Sequence, residues 1–185
     1  MRLYLIRHPR PSTFPDICFG QSDVPVSPRA LDESLEALLS NPALPPGLPV
    51  YSSPLSRSAD LATALTQAWE IPGPVFDCRL KEMNFGDWEM RAWTDIPRRE
   101  VDAWVADLAG YRPGGGESVL DMAVRVESFR AELEEKGNDA CVVCHAGTIR
   151  LLMAATGRAD LQTMALNAAR QRIYIGYGQM VVLEA

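Results

Sequence analysis

Apolar positions in this chain come in two patterns: short solid blocks, and stripes that recur every three or four residues. The blocks read as buried strands. Leu3-Tyr4-Leu5-Ile6 is the first, stopped by Arg7, His8 and then Pro9, which cannot donate a ladder hydrogen bond. Ala140-Cys141-Val142-Val143-Cys144 is the second, and it ends in His145. Val50 to Ser53 and Pro74 to Asp77 supply two shorter candidates. The stripes predict helices. Ser27-Pro28 suits an N-cap and a first helical position, and Leu31, Leu35, Leu38 and Leu39 carry that helix to about Leu39. Pro54-Leu55-Ser56-Arg57 opens a second, continued by Ala59, Leu61, Ala62, Ala64, Leu65 and Ala68. Ile96 to Leu108 predicts a third, with Trp104 turned into the core. Ser118 to Asp121 has the form of a capping box and starts a fourth, which reaches about Lys136. Ala146-Gly147-Thr148 starts a fifth, running to about Thr156 with Gly157 as its stop. The tail predicts a hairpin of Arg172–Tyr177 and Met180–Glu184, with Gly178-Gln179 suited to a type II′ turn.

The stretches between these elements differ in kind. Pro9 to Pro28 is long and proline-rich, and a loop of that length directly after two basic residues predicts the wall of a site. The four prolines between Pro42 and Pro49 mark a connection and not a domain boundary. Arg79 to Glu89 is charged and rich in aromatic residues, a suitable place for an acid. Pro113-Gly114-Gly115-Gly116-Glu117 predicts a flexible loop; it lacks the Lys-Ser or Lys-Thr that a phosphate-binding P-loop needs.

His8 and His145 are the chain's only histidines, and both terminate predicted core strands. Open α/β sheets bind their ligands at the carboxyl ends of strands. If the two strands are parallel neighbours, the imidazoles meet in one crevice. A lone histidine at a strand end is usually a satisfied structural residue, but two in matching contexts, one beside Arg7, favour a site. Histidine serves as nucleophile or general base near neutral pH, and arginine presents a planar fork to phosphate. Arg57 lies in the first turn of its predicted helix, where the dipole disfavours a cation. That placement makes sense if an anion is held there.

Composition narrows the class. The 185 residues predict one domain, 1–185, large enough to bury about 70% of its unfolded surface. Nearly half the residues are apolar (47%) and 23% are charged, the balance of a soluble globular chain. A net charge of −6 argues against nucleic acid as a partner, so any phosphate attraction must be local. The four apolar residues between Arg2 and Arg7 are too few for a secretory signal, and no apolar run is long enough for a membrane span. The expectation is a cytoplasmic protein. Its four cysteines, Cys18, Cys78, Cys141 and Cys144, are then expected to be thiols. Cys141-Val-Val-Cys144-His145 matches the c-type haem attachment pattern. On a strand, however, residues three apart point to opposite faces, which argues against haem and equally against zinc.

Taken together, the motifs resemble the histidine phosphatase superfamily, the phosphoglycerate mutase-like proteins. Arg7-His8 resembles its first hallmark, Ser53-Pro-Leu-Ser-Arg57 its Ser-x-Leu-x-Arg, Glu82 its acid position and His145-Ala-Gly its second histidine. The segments from Glu82 to Glu89 and from Pro113 to Ser118 resemble the α-ribazole phosphatase branch in particular. The resemblance implies a three-layer α/β/α sandwich with a largely parallel central sheet. It implies a metal-independent phosphatase, without cofactor, acting on a small phosphorylated substrate such as α-ribazole 5′-phosphate. His8, Glu82 and His145 are its implied catalytic residues, with Arg7, Arg57, His145 and Ala146 holding phosphate. The chain departs from the family in Pro9, where glycine or alanine is usual, and in Phe14, where asparagine is usual. Arg10, Ser12 and Gln21 are the candidates to replace that asparagine's contact. Two alternatives stand beside the phosphatase: a mutase passing the phosphoryl group to a second phosphoglycerate, and a catalytically silent binding or haem protein.

Overall fold

The computed structural model describes residues 1–13, 16–155 and 160–184. In chain order the elements are β1 (Arg2–Arg7), β2 (Ile17–Cys18), α1 (Pro28–Leu39), β3 (Val50–Ser52), α2 (Ser56–Ala68), β4 (Val75–Phe76), β5 (Arg91–Ala92), α3 (Arg98–Ala106), α4 (Val119–Lys136), β6 (Ala140–Cys144), α5 (Ala146–Ala154), α6 (Leu161–Arg170) and β7 (Met180–Glu184). Four short 3-10 turns, Cys78–Leu80, Gly86–Trp88, Trp93–Asp95 and Pro113–Gly115, punctuate the connections.

The main sheet has the order β4-β3-β6-β1-β7; all of its pairings are parallel except β1 with β7. Solid apolar strands belong in such a sheet because both faces are covered. In β1, Tyr4 and Ile6 pack with Leu38, Leu61 and Leu65 on one side, while Leu3 and Leu5 pack with Val126, Phe129 and Leu152 on the other. The result is the expected α/β/α sandwich, with α1 and α2 on one face and α4, α5 and α6 on the other. The same alternation puts Cys141 in one core and Cys144 in the opposite one, both fully buried, so the cysteines of the haem-like pattern cannot serve one ligand. All four cysteines are free thiols.

Helix starts follow their sequence signals. Ser27 caps α1 by accepting from the Ala30 amide, and Ser118 and Asp121 form a reciprocal capping box on α4. Gly137, at φ +68°, ends α4 in the left-handed conformation that glycine tolerates. The third helix is shorter than expected, beginning only after Pro97. Phe14 and the expected helix stop at Gly157 lie outside the described residues.

Two expectations fail. The tail is not a hairpin: β7 pairs with β1, and Arg172–Tyr177 forms no strand. Carbonyls of that segment are taken instead by side chains, Ile175 O accepting from Arg7 Nη1 (2.6 Å) and Ile173 O from Arg150 Nη2 (3.3 Å). The turn preceding β7 spans Gly176–Gln179, closed by Gln179 N donating to Gly176 O (3.2 Å), so its centre is Tyr177-Gly178 and not Gly178-Gln179. Nor is Pro113–Glu117 a loose loop. Gly114 and Gly116 lie against the backbone of residues 84–88, and Glu117 N donates to Asn84 O (2.8 Å). A Cβ on Gly114 would stand 2.2 Å from Phe85 O, and one on Gly116 2.2 Å from Asn84 O. These glycines serve close approach, not flexibility. The small antiparallel sheet of β2 with β5 had no sequence signal beyond two residues in each strand.

Candidate active site

Because β1 and β6 are parallel neighbours with Arg7 opposite Cys144, His8 and His145 leave the sheet at the same level. Their ring centroids are 5.0 Å apart, and both residues are buried. His8 Nδ1 lies 2.7 Å from Pro9 O. A carbonyl only accepts, so Nδ1 carries the proton and Nε2 keeps its lone pair. Pro9 therefore supplies this contact as well as any other residue, because the contact uses a main-chain oxygen. Burial first, then the charges of Arg57 and Arg7, push the His8 imidazolium down to about 3, so the ring is neutral at ordinary pH. His145 is also held well below its usual value by burial, and then by His8 and the nearby arginines. Its Nε2 is 2.8 Å from Ser53 Oγ, at the end of β3.

Arg57, fully buried in the first turn of α2, donates through Nη2 to Gly20 O (2.6 Å) and through Nη1 to Ser22 O (2.9 Å). The same loop caps α2, with Asp23 Oδ1 accepting from the Ser56 amide and hydroxyl (both 2.8 Å). Arg7 stacks its guanidinium on Tyr177 at 3.8 Å, and the Tyr177 ring is 5.5 Å from His8. Three buried nitrogens around His8 have no acceptor among the described residues: Arg7 Nε, Arg57 Nε and His145 Nδ1. Unpaired buried donors are rare, and the two that belong to guanidinium groups beside His8 suit an anion.

Glu82 sits at the start of α5. Its Oε2 accepts from Gly147 N in the first turn of α5 (3.2 Å), and its Oε1 from Met83 N (3.0 Å). A Cβ on Gly147 would stand 2.3 Å from Glu82 Oε1, so glycine is required for the carboxylate to sit at this helix start. One of the amides expected to cradle an oxyanion beside His145 is thus engaged by Glu82, while Ala146 adjoins His145 at the first helical position.

One residue of this arrangement, Arg125, carried no sequence signal. Arg125 in α4 donates to the carbonyls of Arg79 (2.6 Å), Lys81 (2.7 Å) and Glu82 (3.0 Å) and pairs with Glu117 (2.7 Å), which fixes the acid segment. Glu89 accepts from Gln21 N, Ser22 N, Ser22 Oγ and Phe85 N, tying the loop after β1 to the acid loop. Among the candidates for substrate contact, Gln21 turns to the acid loop, donating to Glu82 O (2.9 Å) and, at 3.4 Å, to Glu117 Oε2. Arg10 is exposed, 5.9 Å from the Tyr177 ring centre, and Ser12 is exposed with its amide on Pro25 O. Among the described residues, no group of three or more His, Cys, Asp or Glu is placed to hold a metal, and no helix is long and apolar enough to cross a membrane.

A family model for the histidine phosphatase superfamily, branch 1, matches residues 3–183. The chain belongs to this superfamily. Among its relatives is the adenosylcobalamin/alpha-ribazole phosphatase of Escherichia coli (strain K12), 32% identical over 162 residues, which span 83% of this chain and 78% of that protein. A glucosyl-3-phosphoglycerate phosphatase of Mycobacterium tuberculosis (strain ATCC 25618 / H37Rv) is 31% identical over 179 residues, spanning 83% of this chain and 74% of that one. The crystal structure of the alpha-ribazole phosphatase from Shigella flexneri superposes with a TM-score of 0.81 at 26% identity, covering 100% of this chain and 90% of that one. This histidine phosphatase is accordingly a phosphatase-class hydrolase.

Proposed function

We propose that this histidine phosphatase hydrolyses a small phosphate monoester without a metal, through a phosphohistidine on His8, with α-ribazole 5′-phosphate as the leading candidate substrate. The observation that carries this reading is the His8 ring itself: neutral, its Nδ1 proton committed to Pro9 O, its Nε2 lone pair free beside Arg7, Arg57 and His145. In the proposed reaction Nε2 attacks phosphorus as the ester P–O bond breaks, and the equatorial oxygens are held by Arg7, Arg57, His145 and Ala146. Glu82 gives its proton to the departing alkoxide, then takes one from the water that displaces His8 and releases inorganic phosphate. Fixed positive charge and positioning carry most of the barrier reduction in phosphoryl transfer, which is what two arginines and a helix start offer. The substrate reading is supported by the relatives acting on alpha-ribazole phosphate by name, whereas the mycobacterial relative's name gives a different ester.

Rapid quenching with ³²P-labelled substrate should trap alkali-stable, acid-labile label on the wild-type protein and on His145→Ala at reduced level, and none on His8→Ala. Label persisting on His8→Ala and absent from His145→Ala would reverse the two roles. A panel containing α-ribazole 5′-phosphate, glucosyl-3-phosphoglycerate and 3-phosphoglycerate then ranks the substrates. Transfer to a second phosphoglycerate in place of water would mark a mutase.

A further inference from the structure

Beside the phosphate site lies a cavity of about 380 Å³, the size of a small-ligand pocket, enclosed between α3, α4, α5 and α6. Glu82, Ala146 and Gly147 form one end of it. The rest of its wall is chiefly apolar, and it opens to solvent past Val105, which is 64% exposed. The mechanism uses none of this space.

We propose that the cavity is the leaving-group subsite: it takes the alcohol half of the phosphate ester, and selects an apolar, ring-sized alcohol. This rests on Glu82 being the acid. A general acid must reach the leaving oxygen itself, so whatever that oxygen belongs to begins at Glu82. A cavity bounded by the Glu82 carboxylate and by its partner Gly147 is where that group goes. The apolar wall favours hydrocarbon, since each buried methylene is worth about threefold to fourfold in binding. A short ester such as methyl phosphate fills none of the space.

Esters of primary alcohols isolate the effect, because their leaving-group pKa values are close. Across methyl, butyl, hexyl and 2-(1-naphthyl)ethyl phosphate, kcat/KM should climb about threefold per methylene at first, with the naphthyl ester at least 30-fold above methyl phosphate. Val105→Phe and Ala169→Leu narrow the cavity from opposite walls without touching the phosphate site. Each should cut the naphthyl-to-methyl ratio at least fivefold. Free 2-(1-naphthyl)ethanol should bind the wild-type protein by calorimetry and bind both variants more weakly. Hydrolysis that is indifferent to the alcohol, or a ratio unmoved in both variants, overturns the subsite and leaves the phosphatase reading standing. Failure to hydrolyse any ester, with naphthylethanol still bound and displaced by narrowing, overturns the His8 reading and leaves a binding cavity without its assigned role.

Discussion

His8 and His145 are neutral in the folded protein because burial outweighs every stabilisation of their charged forms. The linkage has a definite sign. In the unfolded chain each histidine gains a proton near 6.5; in the folded protein His8 does so only near 3. Between those values the unfolded state binds more protons, so stability falls as pH drops from 6.5 toward 3, by about 1.4 kcal/mol per pH unit for a fully linked group. Urea midpoints measured at intervals across that window should fall more steeply for wild type than for His8→Gln. The kcat/KM profile should show no acid limb near 6.5, since His8 is already a free base there. Glu82 is tested differently. General acid catalysis contributes about 10²–10⁴-fold, and mostly when the leaving group is poor. Glu82→Gln should slow an alkyl phosphate far more than p-nitrophenyl phosphate in single-turnover experiments. Glu89→Gln should slow both alike, because Glu89 holds the Gln21-Ser22 loop on which Arg57 rests. Asp87→Asn, at an exposed position, should slow neither. Leaving-group dependence at Asp87 or Glu89 would move the acid.

The acid loop depends on the glycine-rich turn pressed against it. A Cβ on Gly116 would stand 2.2 Å from Asn84 O, so alanine there meets a steric obstacle. Overpacking of this kind costs about 1–3 kcal/mol and shifts backbone. Gly116→Ala should lower the urea midpoint and also reduce kcat, because Asn84 is two residues from Glu82. Gly115 is the control. Nothing lies within 4 Å of a Cβ built there, but its φ of +75° is one that side-chain-bearing residues rarely adopt. Gly115→Ala should cost about 1–2 kcal/mol of stability and leave kcat unchanged. Equal kcat for both variants would show that the turn packs against the acid loop without setting its position.

Across the whole molecule the net charge is −6, yet the His8 crevice is ringed by Arg7, Arg57 and, behind Glu82, Arg125. The fold concentrates positive charge by converging three distant segments, at residues 7, 57 and 125, on one end of the sheet. Supplied in this way, the charge that phosphoryl transfer needs is part of the protein. Activity on p-nitrophenyl phosphate should survive dialysis against EDTA, and vanadate should inhibit by resembling five-coordinate phosphorus. Activity lost with EDTA and restored by magnesium or zinc would refute the metal-free mechanism.

Much of this was legible from the sequence because it depends on local rules. The solid apolar blocks Leu3–Ile6 and Ala140–Cys144 mark buried strands and their ends, and serine and proline mark the helix starts, while the sandwich itself was implied by the resemblance of the motifs to a known superfamily. The meeting of His8 with His145 needed one further condition, that the two strands are parallel neighbours, and the sheet order meets it. Tertiary structure decided the rest. Arg172–Tyr177 has the alternation of a strand, but its carbonyls go to Arg7 and Arg150, more than twenty residues away. Three glycines in a row look flexible until the 84–88 backbone closes on Gly114 and Gly116. Arg125 gives no sign of its role in the sequence, because the carbonyls it satisfies belong to distant loops. The cavity beside Glu82 is likewise no property of any segment, since α3, α4, α5 and α6 each supply one wall. Side-chain periodicity is a property of neighbours along the chain, whereas hydrogen bonds to backbone groups and the space between packed helices exist only after the chain has closed on itself.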